Sequence, residues 1–425
     1  MQIRLAFGKQ GLHIDIPDHN VTILEPKYIP GLSDETGAIR GALQEPIGCP
    51  RLAELAKIED TVAIVFSDIT RPQPRDIILP VLLEEISHIP KDQITLINAL
   101  GTHRQNTLDE LSEMLGNEIV ADYKIIQHDA WDRNKMIHVG TSSHNRDIYL
   151  NAEYMEADIK ILTGFIEPHF FAGFTGGPKA VFPGLTYQPL VMANHGSKMI
   201  ADSRATWCIT AGNPIWEEMR EAALMSSPTF LVDVALNRDQ KIIGVFAGDL
   251  LQAHSSGVQF VKSNSMMAVQ DPFDIVITSN SGYPLDLNLY QTVKGMSAAS
   301  QVVKRGGSII IASECWDGLP EHGEFATLLQ MAESPRTLLS QIQADGFQRQ
   351  DQWQVQILAQ ILLKADVFLY STYLDKKTVK SAMLNYCDSI EDTIISLLKL
   401  YGPEAKICVL PEGPRTIPYI EKSPL

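Results

Sequence analysis

The sequence lacks most of the short patterns that point directly to a function. Its five cysteines, at positions 49, 208, 315, 387 and 408, are scattered and form no CxxC pair. Neither a disulfide framework nor a cysteine-rich zinc site is therefore expected. No HExxH and no closely spaced His/Asp cluster marks a conventional metal centre, and no GxGxxG marks an ordinary dinucleotide site. GGPK at 176–179 invites comparison with a phosphate loop, but Pro178 and Ala180 break the GxxxxGK[ST] pattern. Basic residues are outnumbered, 35 Lys+Arg against 51 Asp+Glu, which leaves a net charge of −16. That balance argues against nucleic acid or an anionic membrane as partner, while a small anion needs only a few local cations. No apolar run has the length of a membrane span, and MQIRLAFGKQGLHIDIP has no signal-peptide core, so a cytoplasmic protein is expected. The oligomeric state is not legible.

At 425 residues the chain exceeds a single core and predicts two domains. Short continuous apolar runs recur, each followed by a polar loop and then a helical pattern. TVAIVFSDITRPQP (61–74), QITLINALGTHRQNT (93–107) and ADIKILTGFIEPHFF (157–171) are the clearest. Such runs suit strands covered on both faces, and their alternation with helices predicts α/β architecture with largely parallel sheets. Residues 228–249 predict an antiparallel hairpin turning at Asn237–Gln240. A second alternating series begins at 273. The expected division is an N-terminal domain over 1–270 and a C-terminal domain over 271–403, with 404–425 returning to the first.

In open α/β sheets ligands bind beyond the carboxyl ends of the strands. There the first three units deliver Asp68 and Arg71, then His103 and Arg104, then Glu167, His169 and Lys179. The loop after 273–279 adds Tyr283, Asp286, Gln291 and Lys294. An interdomain active-site cleft is the expected location. Each piece also has a structural reading: Asp68 as a turn cap, a lone histidine as a hydrogen-bonded core residue, Lys294 as a solvated helix charge. Their conjunction carries the weight.

SDITRP, GTHR, GFIEPHFFAGFTGGPKAVFPG (164–184), MANH and YPLDLNLYQTVKGM occur here in that order. In this they resemble lactate racemase and its relatives, the nickel-pincer nucleotide enzymes, from about residue 46 to DQW at 351–353. The resemblance implies a racemase or epimerase of a 2-hydroxy acid. Its cofactor would be nickel pyridinium-3-thioamide-5-thiocarboxylic acid mononucleotide, joined covalently to Lys179, with His195 as the protein's nickel ligand. It implies His103 and His169 as acid/base residues and Arg71 and Lys294 as carboxylate binders. Asp68, Tyr290, Gln291 and Trp353 would contact cofactor or substrate. Cofactor-building enzymes would be needed for maturation. One departure is Pro178 before the lysine, where some relatives carry arginine.

The chemistry is consistent with these residue types. The C2 hydrogen of a 2-hydroxy carboxylate is a very poor acid but a feasible hydride, and only a cofactor can accept it. Two enantiomers present their hydroxyl from opposite sides, so two imidazoles suit both directions. Competing readings are a metal-dependent hydrolase or lyase, or a non-catalytic organic-acid-binding protein, in the same cleft.

Overall fold

The structure is a computed structural model and describes residues 1–320 and 323–421. The chain falls into two compact units. Tyr28–Asn194 and Arg204–Ser263 form the central unit; Met1–Lys27, His195–Ser203 and the described chain from Asn264 onward form the terminal unit.

The central unit is built on six strands: β1 (Val62–Ser67), β2 (Ile94–Ala99), β3 (Lys124–Gln127), β4 (Ile159–Phe165), β5 (Phe230–Leu236) and β6 (Ile242–Gly248). Their order is β6-β5-β4-β1-β2-β3. All neighbours are parallel except β5 and β6, the expected antiparallel hairpin, closed by Asn237 and Gln240. The first five residues of β1 and all of β4 are buried, which is why these runs are apolar on both faces. Val62, Ile64, Phe66 and Ile161 join one core with Leu79 and Leu82 of helix α1 (Arg75–Glu85). Each such side chain contributes about 1.5–3 kcal/mol by leaving water. The chain runs from β1 out to β2 and β3, then returns to β4 on the other side of β1. The loops after β1 and β4 therefore part at a topological switch point, where such sheets bind ligands.

The terminal unit holds a second sheet of β7 (Phe273–Ser279), β8 (Val303–Ala312), β9 (Asp366–Tyr370), β10 (Asn385–Tyr386) and β11 (Ile407–Leu410). Its order is β10-β9-β8-β7-β11, with the short strand Val21–Ile23 at the far edge, all parallel. Ile3, Leu5 and Ile14 of an N-terminal hairpin share a core with Ile275, Ile277 and Ile310.

This differs from the expected division in three segments. Residues 1–27 and 195–203 belong with the second sheet. The C-terminal segment does not return to the first: β11, buried along its whole length, pairs with the inner edge of β7, which would otherwise expose a row of unpaired amides. Among the described residues no helix is long and apolar enough to cross a membrane.

Candidate active site

β1 ends in the loop Ser67–Pro74, and its charged residues are held by a buried arginine. Arg75, 5% exposed at the start of α1, donates from Nε to Ser67 O at 2.7 Å and from Nη1 to Gln73 O at 3.0 Å. Its Nη2 reaches Arg71 O at 2.9 Å and also Asp68 O. Burial draws its guanidinium down to about 10, against the upward pull of Asp68 and Asp76, so it stays charged at neutral pH. Gln73 completes the loop, accepting from Ser67 N and Oγ at 2.8 Å and donating to Thr163 at 2.7 Å.

So held, Asp68 projects a buried carboxylate to which His103 donates from Nδ1 and Thr70 from Oγ1, the latter at 2.8 Å. Burial pushes this carboxyl up. The hydrogen bond and charge of His103, with Arg71 and Thr70, outweigh that and hold it below the usual carboxylate range. Asp68 is not the cap of its turn: the turn closes through the backbone, Arg71 N donating to Asp68 O at 3.1 Å, while the carboxylate is taken up by the side chains of His103 and Thr70. His103 follows β2 and is placed by its own amide on Leu100 O at 3.0 Å. Arg71 and Arg104 part company. Arg104 is exposed and bound bidentately to Glu110 at 2.6 and 2.8 Å, whereas the half-buried Arg71 guanidinium has no hydrogen-bond partner among the described residues.

The glycine-rich stretch after β4 is a folded unit, not an open loop. Pro168–His169 pairs antiparallel with Gly173–Phe174, and Phe170, Phe171 and Phe174 are buried. His169 stands edge-on to Phe171, ring centres 4.5 Å apart, and its Nδ1 accepts the Ala172 N–H at 3.2 Å. That bond assigns the ring proton of the neutral form to Nε2. Lys179 lies on a 3₁₀ turn, Gly177–Ala180. Pro178 occupies its first turn, where a missing N–H costs nothing and a fixed φ helps.

In the terminal unit, helix α2 (Leu289–Ser300) carries Tyr290, Gln291 and Lys294. Asn288 caps it by accepting Gln291 N at 3.1 Å, and Gly295 lets it approach β7, since a Cβ there would stand 2.3 Å from Ser279 O. Helix α3 (Gln352–Leu362) carries Trp353, whose Nε1 donates to Tyr290 Oη at 3.2 Å. The His195 ring stands edge-on to Trp353, with centres 5.3 Å apart. Tyr290, Trp353 and His195 are thus brought together. Two residues expected to line a site do not fit that role. Asp286 is fully buried and accepts amides from Gly8 at 2.7 Å and Glu314 at 3.2 Å, and Tyr283 is exposed beneath the ammonium of Lys9.

Within the central unit Asp68 and His103 are in contact, with Arg71 charged beside them. His169 and Lys179 share the segment after β4, the strand on the other side of β1. Sequence reasoning missed Arg75, Gln73, Asp233 and His254. The available signals were charged or polar residues inside apolar runs, as in LVDVAL, and the odd Arg closing PQPR.

Residues 7–208 match the family profile described as "Lactate racemase N-terminal domain", and residues 268–417 match "Lactate racemase C-terminal domain". The lactate racemase of Thermoanaerobacterium thermosaccharolyticum is 36% identical over 418 residues, 97% of each chain. That of Lactiplantibacillus plantarum is 35% identical over 417 residues, 97% of this chain and 98% of that protein. The structure of the lactate racemase apoprotein from T. thermosaccharolyticum superposes with a TM-score of 0.93 at 34% identity, covering 99% of this chain and 100% of that one. A Thermotoga maritima protein at 17% identity, TM-score 0.66, shares the fold.

Proposed function

The chain belongs to the lactate racemase family, and from that premise we propose that it racemises or epimerises a 2-hydroxy acid with the help of a nickel-pincer nucleotide carried on Lys179. One arrangement supports this most directly. At the carboxyl edge of the central sheet, strands on either side of β1 deliver His103 and His169, and β1 itself delivers Asp68 and the uncommitted guanidinium of Arg71.

The donor set suits the cofactor. Among the described residues no cluster of three His, Cys, Asp or Glu could hold a metal, so a hydrolytic or lyase-type metal centre has no ligand set. A metal that arrives in its own chelate needs one imidazole and a tether, the roles proposed for His195 and Lys179. Asp68, Tyr290, Gln291 and Trp353 would line the nucleotide or the substrate. When bound, the nucleotide supplies the hydride acceptor that no side chain offers.

The protein's own groups manage the proton and the carboxylate. Asp68 keeps the His103 proton on Nδ1 and leaves the Nε2 lone pair to take the substrate hydroxyl proton. His169, with Nδ1 occupied by an amide, works through Nε2. Arg71 offers a planar two-pronged grip on the substrate carboxylate and Lys294 a point charge. Phe170 and Phe171 exclude water beside His169. A pure organic-acid binder would need neither the Asp68–His103 pair nor a second histidine.

The test is a chiral assay over a panel of 2-hydroxy acids, lactate first, using protein co-produced with the cofactor-building enzymes and shown by mass spectrometry to carry an adduct on Lys179. Interconversion of at least one pair of enantiomers, lost in Lys179→Ala, is expected. Loaded protein that converts none of them refutes the reading.

A further inference from the structure

Two buried polar side chains that the mechanism does not use hold the turn leading into Lys179. Asp233, in the middle of β5, is fully removed from water, and its Oδ2 accepts the Gly177 N–H at 2.7 Å. Among the described residues its Oδ1 has no hydrogen-bond partner. His254, on the helix Leu250–Ser265, is 2% exposed, with Nε2 3.0 Å from the carbonyl oxygen of Thr175. Burial pushes this imidazole down to about 4, so at neutral pH it is uncharged and its Nε2–H donates. The peptide groups flanking Gly176 are therefore gripped from two different elements.

The fit leaves no slack. Gly176 and Gly177 adopt φ of +78° and +49°, the region that favours glycine. A Cβ on Gly176 would stand 2.5 Å from Asp233 Oδ2, and one on Gly177 2.6 Å from the His254 ring. Thr175 adds a third hold, donating from Oγ1 to Phe165 O at 2.8 Å at the end of β4. Lys179 follows two residues after the clamped amide, and its own N–H bonds back to Gly176 O at 3.1 Å.

We infer that Asp233 and His254 are positioning residues for Lys179, clamping the Thr175–Gly177 backbone and so setting where the lysine amine is presented. The functional consequence rests on the tether reading above; the clamp itself does not.

The experiment separates the two. In unloaded full-length protein the rate of reductive methylation at Lys179 is followed by peptide mass spectrometry, with exposed Lys198 as internal reference. Asp233→Asn keeps an acceptor for Gly177 and His254→Gln keeps a donor for Thr175. Both should label Lys179 within about twofold of wild type, whereas Asp233→Ala and His254→Ala should shift the rate about tenfold with Lys198 unchanged. After co-production with the cofactor-building enzymes, the alanine variants should carry less than about a tenth of the wild-type adduct. Alanine variants that label and load like wild type overturn the clamp, as do Asn and Gln variants as impaired as Ala. Should the alanine variants not fold, hydrogen exchange at the Gly177 amide decides: protection in wild type and Asp233→Asn is expected, and an unprotected amide overturns the inference. A wild-type protein that obeys the labelling pattern yet never acquires an adduct defeats the tether and leaves the clamp standing.

Discussion

Asp68 accepts the Nδ1–H of His103, joining a carboxylate that is 3% exposed to an imidazole whose side chain is 44% exposed. The pairing is unequal by design of the loop. Arg75 spans the backbone beneath Asp68, so the carboxylate is fixed, and it occupies Nδ1 of the ring and leaves Nε2. A histidine anchored this way has one tautomer and one usable lone pair.

Replacing Asp68 by Asn should therefore lower kcat more than it raises KM. The amide can accept from Nδ1 or donate to it, so the tautomer is no longer specified. A loss of roughly 10²–10⁴-fold in kcat is expected, with KM within a few-fold. Steady-state chiral assays on protein of matched Lys179 adduct content measure both parameters. Unchanged kcat removes Asp68 from the proton-transfer scheme.

The neighbouring arginines make opposite predictions. Arg71→Lys keeps the charge but not the two-pronged geometry, and KM should rise about 10–100-fold, the scale of one charge-assisted hydrogen bond. Arg104→Ala should leave both KM and kcat near wild type, because its guanidinium is already occupied by Glu110 in solvent. Comparable effects at the two positions would reverse the assignment.

Arg75→Met tests the loop itself. Methionine fills the space but leaves carbonyls of Ser67, Asp68, Arg71 and Gln73 without their donor. Stability should fall by about 3 kcal/mol or more, as read from the urea midpoint, and kcat should fall as Asp68 loses its seat.

The elements that the sequence announces most clearly are those that bury both faces. β1, β2 and β4 appear as uninterrupted Val, Ile and Leu runs, and the hairpin of β5 and β6 by its polar turn at 237–240. Val21–Ile23 does not announce itself: it is three residues long, largely exposed, and a strand only because β11 lies beside it. The placement of β11 was equally hidden, since an apolar ICVL suits either sheet and only tertiary pairing decides. At the candidate site, His103, His169 and Lys179 stand out in the sequence as reactive side chains in segments that follow apolar runs. What holds them does not. Asp233 and the glycines it serves are more than fifty residues apart, and nothing local to LVDVAL says what its aspartate faces.

Those two buried aspartates should respond to pH with opposite sign. Asp68 is held below its ordinary value, so its contribution is present above the unfolded pKa and is lost as pH falls through the folded one. For Asp233, burial pushes the carboxyl up to about 7, with only the Gly177 N–H opposing. Its contribution is complete below the unfolded value near 4 and disappears as pH rises through about 7. His128 and His254, both pushed down to about 4 by burial, lose stability as pH falls and mask the Asp233 trend in wild type alone. Both histidines are present in Asp233→Asn as well, so subtracting its unfolding free energy from that of wild type isolates the carboxyl. Between pH 4 and 8 that difference should move against wild type by on the order of 4 kcal/mol, with most of the change between pH 4 and 7. Urea titrations across that range measure it, and a difference that stays flat would mean that Asp233 is ionised throughout and that the Gly177 amide, together with groups not in contact with it, stabilises the charge.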